Sequence, residues 1–142
     1  MIIISPDLLS KIETAAADAY PAESCGLLVG HGSIDKRIVM TRVEISSNRT
    51  ENNMRDSFEI DPQRRFDLMR ELKDGPEQIV GHFHSHPNGA AQPSARDAQQ
   101  AWEPALVWVI TSVAKGQPSE TAAFAFDEES RAFRSLEIHP VE

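Results

Sequence analysis

Hydrophobic residues follow two rhythms along this chain, and the switches between them outline its elements. Three isoleucines, Ile2 to Ile4, predict a short opening strand. Ser5-Pro6 supplies a hydroxyl cap and then a proline at the first helical position. Leu8, Leu9, Ile12, Ala15, Ala16 and Ala19 follow at helical spacing and make one apolar face, which Pro21 ends. The continuous run Cys25 to Val29, CGLLV, predicts a buried strand, and residues 31–36 a turn. Looser alternation from Arg37 to Ser46 predicts another strand. Residues 47–56, SNRTENNMRD, are polar without a period and read as a loop.

Ser57 to Ile60 predicts a short strand, and Pro62 opens a helix through about Lys73. Phe66, Leu68, Met69 and Leu72 are expected to face inward from it, and Asp74-Gly75-Pro76 stops it. Gln78 to about His84 predicts a strand that runs on into HSHP, with Pro87 ending it because proline has no N–H to donate. Ser94 begins a short helix to about Trp102, ended by Pro104. Leu106 to Val113 is strongly β-forming, and Thr121 to Phe126 with Ala132 to Ile138 predicts a hairpin around DEES. Strands and helices mix without a regular βαβα rhythm, so the expected class is α/β or α+β with a mixed sheet packed by helices.

Composition narrows the function. A length of 142 residues predicts one domain, residues 1–142, with one core. No apolar run approaches a membrane span, and MIIIS is too short for a signal-peptide core, so the expected location is cytoplasmic. The lone cysteine, Cys25, excludes an intrachain disulfide framework and reads as a small buried residue. A formal net charge of −8 argues against nucleic acid, because no excess of Lys and Arg is available to displace phosphate counterions.

Candidate chemistry is concentrated in HFHSHPNGAAQPSARD, residues 82–97. The chain has 5 histidines, and His82, His84 and His86 stand at alternate positions. Alternate residues of a strand share a face, so two such imidazoles can reach one ion. Spacing alone leaves open which two. The loop after His86 is long enough to turn away and return a carboxylate, Asp97, completing a two-His, one-carboxylate set with a corner for water. Ser94-Ala95-Arg96-Asp97 also fits a capping box, which needs no metal. H-E-x-x-H, P-C-x-x-C and the phosphate-binding G-x-x-x-x-G-K-[ST] are absent. A hydrolase would also need a proton carrier. Glu23, in PAESCGLLVG between a helix-ending proline and a buried strand, can project into a cleft; by composition alone it is an ordinary exposed glutamate.

His84-Ser85-His86-Pro87, then Ser94, then Asp97, with Glu23 upstream in ESCGLLVG, resembles the JAMM motif of the MPN+ metallopeptidases, in its compact prokaryotic form. The resemblance implies a cytidine deaminase-like α/β fold, with a curved mixed sheet flanked by helices. It implies zinc held by His84, His86 and Asp97, with Glu23 as general base and then acid. Ser94 would donate to the oxyanion of the scissile carbonyl. His82 would be a same-face neighbour, hydrogen-bonded to a ligand. The implied reaction is hydrolysis of a peptide or isopeptide bond at the Gly-Gly tail of a ubiquitin-like or sulfur-carrier protein. Such a tail would pair with a strand edge, for which residues 47–56 and Ser57–Ile60 are candidates. Two other readings stand beside it: a non-catalytic MPN-type protein-binding scaffold, and a different two-His-one-carboxylate metalloenzyme such as an iron oxygenase.

Overall fold

The computed structural model describes residues 1–141. Its elements in chain order are β1 (Ile2–Ile4), α1 (Pro6–Ala19), β2 (Cys25–Gly32), β3 (Ile38–Ser46), α2 (Pro62–Leu72), β4 (Gln78–Pro87), α3 (Ala95–Gln99), β5 (Val107–Ala114), β6 (Gln117–Asp127), β7 (Ala132–Leu136) and β8 (Ile138–Pro140). Among the described residues the strands form one sheet in the order β7-β6-β5-β4-β2-β3-β1-β8. It is mixed: β4 runs parallel to β5, and β1 parallel to β3 and β8, while the other neighbours are antiparallel. Only Glu137 separates β7 from β8, yet they occupy opposite edges. The sheet must therefore curl until its edges nearly meet.

The α1 helix fills that curl. Ser5 Oγ accepts from the Leu8 N–H, capping its first turn, and Ile12 and Ala15 pack against Leu28, Phe83, Val107 and Val109. This is one face of the sheet. By strand alternation the opposite face carries Leu27, Val29, His82, His84, Trp108 and Ile110. Leu68 of α2 packs there with Leu27 and Val29, and Phe58 with Trp108. Gly26 lies between Phe83 and β3, and a Cβ on it would meet the Phe83 ring at 2.3 Å. Glycine is what allows β2 to approach β4 closely beside the histidines.

Several boundaries differ from the sequence reading. Residues 57–60 form no strand, only an isolated bridge of Ile60 to Asn48. Phe66 and Met69 do not face inward but are 56% and 54% exposed, and only Leu68 of α2 is buried. This short helix meets the sheet along a narrow line, so half its apolar positions find no partner. The α3 helix ends at Gln99 rather than near Trp102, which is 80% exposed. Strand β6 starts at Gln117, because Lys115 and Gly116, both at positive φ, make the tight turn from β5. The last predicted strand divides at Glu137, since Ile138 pairs with Ile2 on the far edge. No described helix is long and apolar enough to cross a membrane.

Candidate metal and proton-transfer site

The site sits where β4 leaves the sheet. Cys25 pairs with His84 in the antiparallel β2–β4 ladder, and the Ser85 N–H donates to the Ser24 carbonyl at 3.1 Å, continuing it. Partners across such a ladder share a face, so Glu23 comes opposite His86. Ser85 fastens this corner: its Oγ, fully buried, accepts from the Ser24 N–H at 2.8 Å and from Ser24 Oγ at 3.1 Å. The chain leaves β4 through Asn88, at φ 58, and returns at Ser94.

Three donor atoms converge. His84 Nε2 lies 3.0 Å from His86 Nε2, and Asp97 Oδ2 lies 3.3 Å from each. Ligands about 2.0–2.1 Å from a tetrahedral ion stand roughly 3.3 Å apart, so the triangle has the size of a divalent-metal site. The His86 Nδ1–H donates to the Ala90 carbonyl at 2.9 Å, which leaves the Nε2 lone pair pointing inward. His84 is fully buried with Phe58 stacked on its ring, centroids 4.3 Å apart and planes at 17°. Its Nδ1 has no hydrogen-bond partner among the described residues. Glu23, His84 and His86 each bring a ligand atom within 4.8 Å of the others, so the Glu23 carboxylate faces the same point.

Electrostatics separates the two carboxylates. Burial pushes Glu23 up to about 8, partly opposed by His86. Burial also works against ionising Asp97, but hydrogen bonds with His84 and His86 and the Ser94 N–H hold it far below the usual carboxylate range. Burial lowers the His84 imidazole despite Asp97, while in His86 burial is outweighed by Asp97 and the Ala90 carbonyl, and its proton affinity rises. One acid stays ionised among imidazoles and the other holds a proton near neutrality, a pairing typical of acid–base sites.

The capping box is present as well. Ser94 Oγ accepts from the Asp97 N–H at 3.1 Å, and the Ser94 N–H donates to Asp97 Oδ2 at 2.9 Å. Asp97 thus caps α3 and faces the histidines with the same oxygen, so the two sequence readings of SARD coexist. His82 lies outside the triangle. It packs edge-on to Trp108 at 4.3 Å, its Nδ1 is buried without a partner, and it makes no hydrogen bond to His84 among the described residues. Beside it a cavity of about 480 Å³ opens between Phe58, Trp102 and Trp108. Cys25 is buried against backbone carbonyls with its thiol pushed up to about 12 by burial and Glu23, as an inert core residue would be. Phe58 and Asn48, which hold the site from residues 47–60, carried no signal in the sequence beyond one apolar ring in a short alternating run.

A curled mixed sheet with two histidines and an aspartate at its lip defines a JAB1/MPN-type α/β protein. The chain belongs to the family of prokaryotic homologs of the JAB domain, whose model matches residues 5–130. It is similar to a desampylase from Haloferax volcanii, 33% identical over 105 residues that cover 74% of this chain and 73% of the relative. It is also similar to the CysO-cysteine peptidase of Mycobacterium tuberculosis, 29% identical over 115 residues, 79% of this chain and 73% of that protein. A solution structure from Desulfitobacterium hafniense superposes with a TM-score of 0.84 at 28% identity, over 100% of this chain and 94% of that one. A JAB1/MPN domain protein from Archaeoglobus fulgidus shares the fold at a TM-score of 0.63 and 20% identity, over 100% and 98% of the two chains.

Proposed function

We propose that the protein is a JAMM-type zinc hydrolase that cuts a peptide or isopeptide bond at the C-terminal Gly-Gly tail of a ubiquitin-like or sulfur-carrier protein. The observation that carries this reading is the triangle of His84, His86 and Asp97 with the carboxylate of Glu23 facing it. Two imidazole nitrogens and one carboxylate oxygen match the donor set of catalytic zinc. The desampylase and the CysO-cysteine peptidase among its relatives support the substrate class.

His84, His86 and Asp97 would hold the ion, and the Asp97 carboxylate would balance part of its charge. Zinc bound there would supply a polarised water near neutral pH and a Lewis-acid contact for the scissile carbonyl. Glu23, facing the same point, would accept a proton at its carboxylate and pass it to the departing amine. Burial raises its proton affinity in the metal-free protein, and a dication in the adjacent triangle would favour the carboxylate form that accepts a proton. Ser94 Oγ already accepts from the Asp97 N–H, so its own hydrogen is free to donate to the carbonyl oxygen as charge develops there. The glycines of the tail let its backbone approach closely. Both neighbours of β4 are occupied, by β2 and β5, so the tail cannot pair with β4 itself, and the segment before α2 is the proposed partner. A purely scaffolding role would give no reason to bury Glu23 to 5% exposure against the metal-type cluster.

The test is incubation with ubiquitin-fold proteins extended beyond Gly-Gly, with and without chelator, read by mass spectrometry and paired with metal analysis. Extensions are expected to be released by the zinc-loaded protein and not by the chelated one. Cleavage that persists after complete metal removal would overturn the reading.

A further inference from the structure

Glu23 lies just outside the sheet. The residue pairing of β2 with β3 and β4 begins at Cys25, so the regular ladder does not serve the Glu23 peptide groups. Buried backbone groups need partners, and here the segment between β3 and α2 supplies them. The Glu23 N–H donates to the Met54 carbonyl at 2.7 Å. The Asn48 Nδ2 donates to the Glu23 carbonyl at 3.3 Å and to the Ser57 carbonyl at 3.0 Å. Asn48 Oδ1 accepts from the Thr50 N–H at 3.1 Å and the Glu59 N–H at 3.0 Å. One half-buried amide therefore ties both ends of the segment together and fixes that segment to Glu23. The same segment carries Phe58, stacked on His84.

We propose that Asn48 is a positioning residue for Glu23. Its amide nitrogen fixes the Glu23 carbonyl, and through it the reach of the Glu23 carboxylate toward the His84–His86–Asp97 triangle. This rests on Glu23 being the proton carrier. Asn48 itself touches neither substrate nor metal. A purely structural Asn48 would need its Oδ1 bonds and the Nδ2 bond to Ser57, which close the local turns, but not the Nδ2 bond to the Glu23 carbonyl. The donor side of the amide is what points at Glu23, and the two halves are separable by substitution. Asn48→Asp keeps the acceptor contacts and replaces the donor with an oxygen that the Glu23 and Ser57 carbonyls repel. Asn48→Ala removes both.

The experiment uses the full chain in two forms. In the metal-free protein, amide hydrogen exchange at Glu23 is followed by NMR; in the zinc-loaded protein, turnover is measured on a ubiquitin-fold sulfur-carrier protein extended beyond Gly-Gly. Asn48→Asp is expected to speed Glu23 exchange at least ~10-fold while Ile12 and Ala16 in α1 are unchanged, and to lower kcat ~10–100-fold with KM and zinc content kept, as for a misplaced reacting group. Unchanged Glu23 exchange, unchanged kcat, or acceleration spread evenly over the chain in both variants would overturn the proposal. Where the wild type does not cleave the probe, the exchange measurement decides. Glu23→Gln run alongside separates the two readings. If it keeps full turnover, the role of Glu23 fails. If it is inactive while Asn48→Asp is fully active, only the role of Asn48 fails.

Discussion

Cys25 stands directly across from His84 in the β2–β4 ladder, and that register brings Glu23 to His86 from a position 63 residues away in sequence. The ladder is fully buried here, with Cys25 and His84 each at 0% exposure. A one-residue slip would turn either residue to the opposite face of the sheet. The register is locked by Gly26 against Phe83 and by the Ser24–Ser85 hydrogen bonds. The placement of Glu23 opposite His86 is therefore set by the register of two buried strands.

Glu23→Gln removes the proposed proton carrier and leaves the three proposed ligands in place. Turnover is expected to fall by roughly 10²–10⁴, the range for loss of a general acid–base group, with zinc content unchanged. Steady-state kinetics and metal analysis of the purified variant check this. Full turnover would exclude Glu23 from the chemistry.

Ser94 and Asp97 share one capping box but differ in their reach. Ser94→Ala is expected to cost about 1 kcal/mol of stability through the lost cap, and to slow turnover, while zinc stays bound. Asp97→Ala is expected to lose the zinc as well, since its Oδ2 stands 3.3 Å from both imidazoles. Equal zinc content in the two variants, measured by mass spectrometry, would reduce Asp97 to a cap.

Phe58→Ala strips the stacked ring from His84 and opens the cluster it shares with Trp108. A loss of about 3 kcal/mol is expected, the low end for a Phe→Ala change because the ring is only partly buried. Zinc affinity is expected to fall too, because among the described residues nothing hydrogen-bonds the His84 Nδ1 to hold the ring's orientation. Chemical denaturation and zinc titration measure the two effects separately.

Stability of the metal-free protein should depend on pH with opposite slopes on two sides. Folded Glu23 keeps its proton up to about 8, whereas a free glutamate loses it near 4.5. Through that window the unfolded chain binds fewer protons, so stability falls as pH rises, by up to ~1.4 kcal/mol per pH unit. His82 acts the other way: burial pushes it down to about 3 from 6.5, so the unfolded chain takes up a proton that the folded one does not, and stability falls as pH drops below 6.5. Thermal melts should show Glu23→Gln gaining over wild type at pH 8 and not at pH 4. Equal melting at pH 8 would mean that folding does not raise the proton affinity of Glu23.

The local chemistry was legible because it is encoded over short spans. Alternate histidines on one strand, a proline at its lip and an S-x-x-D helix start all lie within residues 82–97. The apolar period of α1 and the CGLLV run likewise depend on near neighbours alone. Phe66 and Met69 read as inward for the same reason, and there the local pattern misled. Whether an apolar helical position is buried depends on how wide a contact the helix makes, which its own sequence does not state.

The sequence by itself determined which residue types stand in which register, and so the donor set and the helix cap. Tertiary structure alone decided that β7 and β8 close the sheet from opposite edges, that Asn48 and Met54 hold Glu23 by its backbone, and that His82 turns to Trp108 instead of the cluster. Those outcomes depend on which distant segments meet when the sheet curls around α1. Contacts of that kind are chosen by the packing of the whole chain and leave no period in any one stretch of it.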